Sequence, residues 1–276
     1  MLKSVLVHIP TERPLRPVID AAVSLAKHCS AELAAVSVGY ETANVALAVD
    51  GGAAIATVFE IERERALARA NAALAIFEAE ARRAGITYRC HPLEGTPGEA
   101  GAAVGAMARL HDLSVVQQPD SGLTFDNTLP EEILFESGGP VLFIPHTHKG
   151  EFRSGHVGIA WDGSRAAARA LRDAMPFLAG ASRISAIIVG ESGAKSGAHA
   201  EALSAYLAKH GLDAKIERTS AERAEIHPAI LSIAADTGID ILVMGGYGHS
   251  RMHERFLGGV TRSMLRSMTV PTLMSH

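Results

Sequence analysis

The stretch of sequence with the clearest chemical potential follows the apolar run that ends at Met244. It begins at Gly245, has a further glycine at Gly248, and leads to the pair Gly258-Gly259. Backbone N–H groups flanked by glycine can approach a ligand without an intervening Cβ, and several such groups can converge on an anion. The stretch therefore predicts a cradle for a negatively charged group such as a phosphate.

The residues after the glycine pair strengthen this prediction. Residues 260–266 are predicted to form a helix, in which Val260 and Thr261 occupy the first turn. The unpaired N–H groups and the positive end of the dipole at a helix N-terminus attract anions. His249, Arg251 and Arg255 lie between the glycines and could either reach phosphate oxygens or stand on an exposed helix face.

The elements around this stretch alternate between short apolar runs and longer segments of helical period, which is typical of a parallel sheet covered by helices. The two halves of the chain show the same order of signals, so we predict an α/β fold of two tandem doubly wound domains. Each domain is expected to contain a five-stranded, mainly parallel sheet with helices on both faces. The predicted strands are 3–9, 33–38, 86–91, 112–117 and 141–144 in the first half, and 156–161, 184–189, 213–218, 240–244 and 271–275 in the second.

The predicted domains are 1–148 and 154–276, and a polar stretch between them, residues 145–155, has the composition of a linker. Ligands of doubly wound sheets bind at the carboxyl ends of the strands, where the strand order reverses. In the second domain this places the candidate loops after strands 156–161, 184–189 and 240–244.

The glycine spacing, Gly, two residues, Gly, nine residues, Gly, resembles the phosphate and ribose loop of the nucleotide-binding branch of the universal stress protein family. Trp161-Asp162-Gly163-Ser164 looks like the Asp-Gly-Ser turn of that family, and residues 270–274 look like its closing edge strand. The resemblance covers essentially the whole chain as two copies. It implies a fold of the adenine nucleotide alpha hydrolase type and an intramolecular pseudo-dimer, in which strands 141–144 and 271–275 pack against each other.

The resemblance also implies a ligand, ATP, ADP or AMP, which Mg²⁺ could accompany. Asp162 and the backbone near Ala160 and Val189 would hold the base and ribose, and the glycine-rich stretch would surround ribose and phosphates. One departure is Gly259, where the family usually has Ser or Thr; Thr261 could supply the missing hydroxyl. The implied binding residues are Ala160, Asp162, Val189, Met244, Gly245, Gly248, His249, Gly258, Gly259, Val260 and Thr261.

The first half lacks these features. Its aligned segment reads Gln117-Gln118-Pro119-Asp120-Ser121, in which Pro119 removes an N–H donor and Asp120 would repel a phosphate. Asn127-Thr128 stand where the glycine pair would align, and nothing after the first strand corresponds to Asp162. The first domain is therefore predicted to be a degenerate partner without the nucleotide motif.

The composition argues against two other classes of function, nucleic-acid binding and membrane binding. The chain has 276 residues, of which 47% are hydrophobic and 20% charged, and a formal net charge of −4. Such a balance offers no general attraction to nucleic acid or to an anionic membrane surface. Two cysteines, Cys29 and Cys90, are too few for a disulfide framework, and no apolar run is long enough to span a membrane, so we expect a cytoplasmic protein.

Several alternatives remain open from the sequence. His146-x-His148 has chelating spacing, but solvated linker histidines explain it better, and no catalytic or metal-binding residues are assigned. The sequence is compatible with slow ATP hydrolysis or phosphoryl transfer at the same loop. It is equally compatible with an interaction scaffold that has an empty site, and with a further homodimer. Residues 42–57, with Asp50-Gly51-Gly52, are expected to form a connection of unassigned role.

Overall fold

The computed structural model describes residues 2–41, 52–120, 127–190, 194–247 and 259–276. For residues 52–56 and 194–198 and for Arg223, only the backbone is described. Within these ranges the chain forms a ten-stranded sheet with helices on both faces. The predicted α/β fold with a mainly parallel sheet is therefore confirmed.

The strands follow the apolar runs of the sequence, because alternate side chains of each run enter the cores on opposite faces of the sheet. β3 differs most from its predicted range, since it begins later and places Cys90 and His91 inside the strand rather than at its end. The strands are β1 (Ser4–His8), β2 (Glu32–Tyr40), β3 (Tyr88–Gly95), β4 (Leu113–Gln117), β5 (Val141–Ile144), β6 (His156–Ala160), β7 (Arg183–Val189), β8 (Lys215–Thr219), β9 (Ile241–Gly245) and β10 (Thr272–Ser275).

The helices fill the gaps between the strands. α2 begins at Gly52, so residues 52–57 belong to a helix and not to the expected connection, whereas residues 42–51 lie outside the described residues. None of the described helices is both long and apolar enough to cross a membrane. The helices are α1 (Arg16–Cys29), α2 (Gly52–Ala84), α3 (Pro97–Ala108), α4 (Leu129–Glu136), α5 (Arg165–Asp173), α6 (Met175–Leu178), α7 (Ala194–Lys209), α8 (Ile226–Thr237) and α9 (Val260–Ser267).

The strand order is the same in the two halves. It reads β3-β2-β1-β4-β5 in the first and, from the opposite edge, β8-β7-β6-β9-β10 in the second. All strand pairs within each half are parallel, and β5 and β10 join the halves as an antiparallel pair with Leu142 opposite Leu273. The order reverses at β1 in the first half and at β6 in the second, which is where a doubly wound sheet opens a crevice.

Two apolar cores cover the two faces of the sheet. Side chains of α1, α2, α5 and α7 pack on one face, and side chains of α3, α4, α8 and α9 pack on the other. Adjacent strand residues alternate between them: Leu142 enters the first core and Phe143 the second, both fully buried. The second core bears on function, because α8 and α9 of that layer border the crevice beside β6.

Candidate functional site

A pocket of about 380 Å³ lies at the carboxyl ends of β6, β7 and β9. It is the crevice that the strand order predicts, and it brings together residues from distant parts of the second half. Gly248, His249 and Gly258, which were also predicted for the site, lie outside the described residues. The predicted residues that line the pocket are Ala160, Asp162, Val189, Met244, Gly245, Gly259, Val260 and Thr261.

Other residues that line the pocket were not predicted. Ile226 and Ile230 come from α8, one helical turn apart, and Ile187 comes from β7. The i, i+4 spacing of the two α8 isoleucines was readable in the sequence as one helix face. Only the packing of α8 beside β7 shows that this face borders the pocket and not the core alone.

The lining of the pocket combines apolar side chains with polar groups. Ile187, Ile230 and Met244 are 1%, 5% and 5% exposed and form part of the apolar wall. The exposed Asp162 and the backbone of Gly245 and Gly259 lie among the polar groups. Such a pocket suits a ligand with one flat apolar part and one charged part.

The turn after β6 begins α5 at the edge of the pocket. Asp162 Oδ1 accepts the N–H of Ser164 at 2.8 Å, and Ser164 Oγ accepts the N–H of Ala167 at 3.1 Å. Ser164 is thus the N-cap of α5, as its place in an Asp-Gly-Ser turn predicts. Because Ser164 and Gly259 both line the pocket and cap α5 and α9, two helix N-termini border it.

Gly245 was expected to be glycine so that backbone N–H groups could approach a ligand. The structure shows another reason, which is the close packing of α5. A Cβ at this position would lie 2.5 Å from the backbone nitrogen of Ala167 and 2.8 Å from the backbone carbon of Ala166. The absent side chain therefore admits the first turn of α5 close to β9. This packing brings the N-terminus of α5 to the pocket and is required whether or not a ligand is present.

Thr261 connects the pocket to the start of the glycine-rich stretch. Its buried hydroxyl accepts the N–H of Tyr247 at 3.1 Å and retains its own proton for donation. Tyr247 is a bulky residue with a left-handed φ of 50°, a conformation that surrounding contacts must enforce. Its hydroxyl donates to Glu131 of the first half at 2.8 Å, and its ring centroid lies 4.9 Å from that of Phe135. The first half thus helps to hold one end of the pocket.

The equivalent place in the first half contains larger side chains. The backbone hydrogen bond from Ile9 N to Val36 O in the first half matches the one from Trp161 N to Ile187 O in the second. The residues directly before these donors, His8 and Ala160, are therefore equivalent. By the same comparison of backbone bonds, Gln117 corresponds to Gly245. His8 and Gln117 are both buried, and the nearby Arg13 donates to the carbonyl of Gln118 at 2.6 Å. This gives a physical reason why the first half would lack a comparable site.

His8 should make the stability of the protein depend on pH. Burial, and after it the charge of Arg13, lowers the pKa of His8 from 6.5 to about 3. Below pH 6.5 the imidazole of His8 is protonated in the unfolded chain but stays neutral in the folded chain. The contribution of this group to the free energy of unfolding is therefore complete above pH 6.5 and falls by up to about 1.4 kcal/mol per pH unit as the pH drops.

We therefore expect the free energy of unfolding to decline less steeply between pH 6.5 and pH 4 in His8→Leu than in the natural protein. Urea unfolding at a series of pH values measures both slopes. Equal slopes for the two proteins would show that His8 is protonated in the folded state and that this account of its burial is wrong.

The histidines considered as metal ligands have separate protein partners. His146 lies 3.3 Å from the carbonyl of Pro119, and His148 lies 3.1 Å from that of Gly150. His156, the next histidine along the chain, is buried at the start of β6 and lies 2.9 Å from the hydroxyl of Ser185. Among the residues that the structure describes, no group of three or more His, Cys, Asp or Glu side chains is arranged to hold a metal ion.

The cysteines show the features of packed thiols. Cys29 ends α1 and Cys90 lies within β3, and both are partly buried against the first apolar core. Burial raises the pKa of each thiol above its ordinary value. Because the thiolate is the reactive form, this direction disfavours nucleophilic chemistry at either residue.

Comparisons with known proteins agree with this architecture. Residues 154–276 match the family model described as the universal stress protein family. A crystal structure of a universal stress protein from Archaeoglobus fulgidus superimposes with a TM-score of 0.74 at 19% identity and covers 97% of each chain. A structure of a putative universal stress protein from Pseudomonas aeruginosa covers 99% of this chain and 92% of its own, with a TM-score of 0.61 at 14% identity.

Similarity in sequence to curated proteins is limited to parts of the chain. A universal stress protein of Methanocaldococcus jannaschii is 38% identical over 48 residues, which are 17% of this chain and 30% of that protein. A universal stress protein of Synechocystis is 31% identical over 121 residues, which are 41% of this chain and 40% of that protein. The chain therefore aligns with less than half of the length of either relative.

Proposed function

We propose that the second half, in which residues 154–276 match the model of the universal stress protein family, binds an adenine nucleotide, ATP, ADP or AMP, in the pocket beside β6. The observation that carries the proposal is the composition of the lining of this pocket. Strand ends and two helix N-termini supply its polar groups, and buried aliphatic side chains supply an apolar wall. A nucleotide has the same two parts, a phosphate group and a flat base.

The start of α9 offers main-chain donors for a phosphate. The N–H groups of Gly259 and Val260 begin α9 and have no partner within a helix by virtue of their position. Bonds from such groups to a charged acceptor contribute about 1.5 to 3 kcal/mol each. Two of them would account for roughly 3 to 6 of the roughly 8 kcal/mol that corresponds to micromolar affinity.

The other groups of the pocket fit the remainder of the ligand. The apolar wall of Ile187, Ile230 and Met244 would cover the faces of the base, and the carboxylate of Asp162 would accept hydrogen bonds from ribose hydroxyls. Of the described lining residues, Asp162 alone carries a carboxylate. Any Mg²⁺ would therefore be held chiefly by the phosphates of the nucleotide.

Binding, rather than catalysis, is the proposed function. Occupancy of the pocket would act on the first half through Tyr247, which contacts Thr261 in the pocket and Glu131 across the junction. Such a change in shape or in affinity for a partner would serve a stress-response or signalling role. The cytoplasmic location expected from cysteine usage, and a further homodimer, remain predictions.

The proposal is tested by denaturing the purified protein and identifying any released nucleotide by absorbance and mass. Calorimetry of the nucleotide-free protein with AMP, ADP and ATP, each with and without Mg²⁺, should then give one binding event per chain with micromolar affinity. Turnover of ATP at the bound stoichiometry would favour a slow ATPase instead. No released nucleotide and no binding heat would favour a scaffold and contradict the proposal.

A further inference from the structure

The two halves are related by an approximate twofold axis that passes between Leu142 and Leu273, the central residues of the β5–β10 pair. α4 and α9, which precede these strands, each contain 8 residues. Aligning the two helices makes Glu131 equivalent to Arg262 and Phe135 equivalent to Arg266. The backbone hydrogen bonds from Gln118 N to Ile144 O and from Gly246 N to Ser275 O are also equivalent, so the loops after β4 and β9 can be aligned residue by residue.

On one side of this axis a tyrosine fills the junction between the halves. Tyr247 follows Gly246, and its ring, 6% exposed, lies against Phe135 with its hydroxyl on Glu131. The equivalent of Tyr247 on the other side is Pro119, which has no ring of comparable reach. The equivalents of Phe135 and Glu131 there are Arg266 and Arg262.

The space that a tyrosine occupies on the first side is matched by a pocket on the second. The pocket measures about 480 Å³, is lined by Pro119 and His146 from the first half and by Arg262, Leu265 and Arg266 of α9, and is separate from the nucleotide pocket. Its volume lies within the range of small-molecule sites. The approximate symmetry thus explains why a cavity exists at this place.

The charges around the pocket define what it could hold. Arg262 and Arg266 are exposed, and neither guanidinium makes a hydrogen bond or ion pair with a residue that the structure describes. Asp120 and Glu131 also line the pocket, and the carboxylate of Glu131 already accepts the Tyr247 hydroxyl. A ligand must therefore direct an anionic group to the arginines and a hydrogen-bond donor to the acidic wall.

We propose that this junction pocket is a second ligand site that binds a small aromatic carboxylate carrying a hydroxyl or amino group. The ring takes the place equivalent to that of the Tyr247 ring, between Pro119 and the planar guanidinium of Arg266. The carboxylate pairs with Arg262, for which a fork of N–H donors is well suited. Stacking of a guanidinium on an aromatic face supplies further attraction.

The experiment uses 4-hydroxybenzoate, whose ring copies that of Tyr247, whose carboxylate takes the place equivalent to the Tyr247 hydroxyl, and whose own hydroxyl can donate to the acidic wall. It is titrated into the full-length protein by calorimetry and by saturation-transfer NMR. Saturable binding is expected, with affinity lowered about tenfold or more by either Arg262→Gln or Arg266→Gln, because each removes a charge-assisted contact. Arg172→Gln is the matched control, since Arg172 is an exposed helix arginine on α5 away from this pocket. It should leave the affinity unchanged.

A second variant keeps both arginines and fills the pocket. Pro119→Tyr supplies the missing ring and should compete with the ligand, so that binding of 4-hydroxybenzoate is lost while the melting temperature stays close to that of the natural protein. Absence of saturable binding at millimolar concentration, or equal binding by the natural protein and both arginine variants, would overturn the proposal. Neither outcome depends on nucleotide binding, which is measured separately with AMP.

Discussion

Replacing Ala160 with phenylalanine is expected to lower the affinity for AMP at least about 100-fold while the protein remains folded. Ala160 ends β6, lines the nucleotide pocket, and is only partly buried. A phenyl ring there would enter the space beside Ile187 and Met244 that we assign to the base. A 100-fold loss corresponds to about 2.7 kcal/mol, which is the size expected when an apolar contact surface is taken from the ligand.

The matched control is Ala205→Phe, because Ala205 is an exposed residue of α7 and does not line the pocket. It adds the same ring to the protein and should leave AMP affinity within about twofold of the natural value, as judged by calorimetry. Circular dichroism spectra and melting temperatures check that both variants fold. Undiminished binding in Ala160→Phe would mean that the nucleotide, if bound, lies elsewhere.

Gly39→Ala is expected to destabilise the protein by about 3 kcal/mol, the largest effect on folding that we predict for a single added methyl group. Gly39 lies in β2, and a Cβ at this position would overlap the backbone carbonyl of Ala66 in α2. Backbone cannot move aside as a flexible side chain can, so either β2 or α2 must shift within the core. Urea unfolding measures the loss in free energy.

The same substitution at Gly98 should have the opposite sign. Gly98 lies in the first turn of α3, and a Cβ there would meet no atom within 4 Å. Alanine is favoured over glycine in a helix and restricts the unfolded chain, so Gly98→Ala should stabilise the protein by up to about 1 kcal/mol. If both variants lost similar stability, the close approach of β2 and α2 would not be the cause.

The fold was largely predictable because hydrophobic periodicity and chain duplication both report on it directly. The short apolar runs had to be buried strands and the longer amphipathic segments had to be their crossovers, which fixed the parallel sheet. The boundaries were less certain. The start of β3 was placed too early, and α2 was expected to begin at residue 57 although it begins at Gly52. At α2 the turn signal of Asp50-Gly51-Gly52 was assigned to the connection, although Gly52 is already the first residue of the helix.

The candidate site was predictable where chain order sets position. Ala160, Val189 and Met244 end or nearly end adjacent strands, so they had to meet at one edge of the sheet. Ile226 and Ile230 were missed because the place where α8 crosses the sheet depends on packing between helices. The reason for Gly245 was also hidden, since it depends on the distance between β9 and the backbone of α5.

The junction between the halves was the least predictable region. The pairing of Tyr247 with Glu131 joins residues far apart in sequence, and no local pattern indicates that a tyrosine hydroxyl would reach a carboxylate of the other half. The left-handed conformation of Tyr247 is equally hidden, because residues of this type rarely adopt it. Neither feature has a counterpart on the other side of the approximate twofold axis, where Pro119 stands at the equivalent position.

The most direct test of the central claim is a crystal structure of the protein grown with AMP. Our account predicts the base against Ile187 and Met244, and the phosphate within hydrogen-bond distance of the backbone N–H groups of Gly259 and Val260. A nucleotide bound elsewhere, or a pocket closed by the protein's own side chains with no AMP in it, would contradict the account.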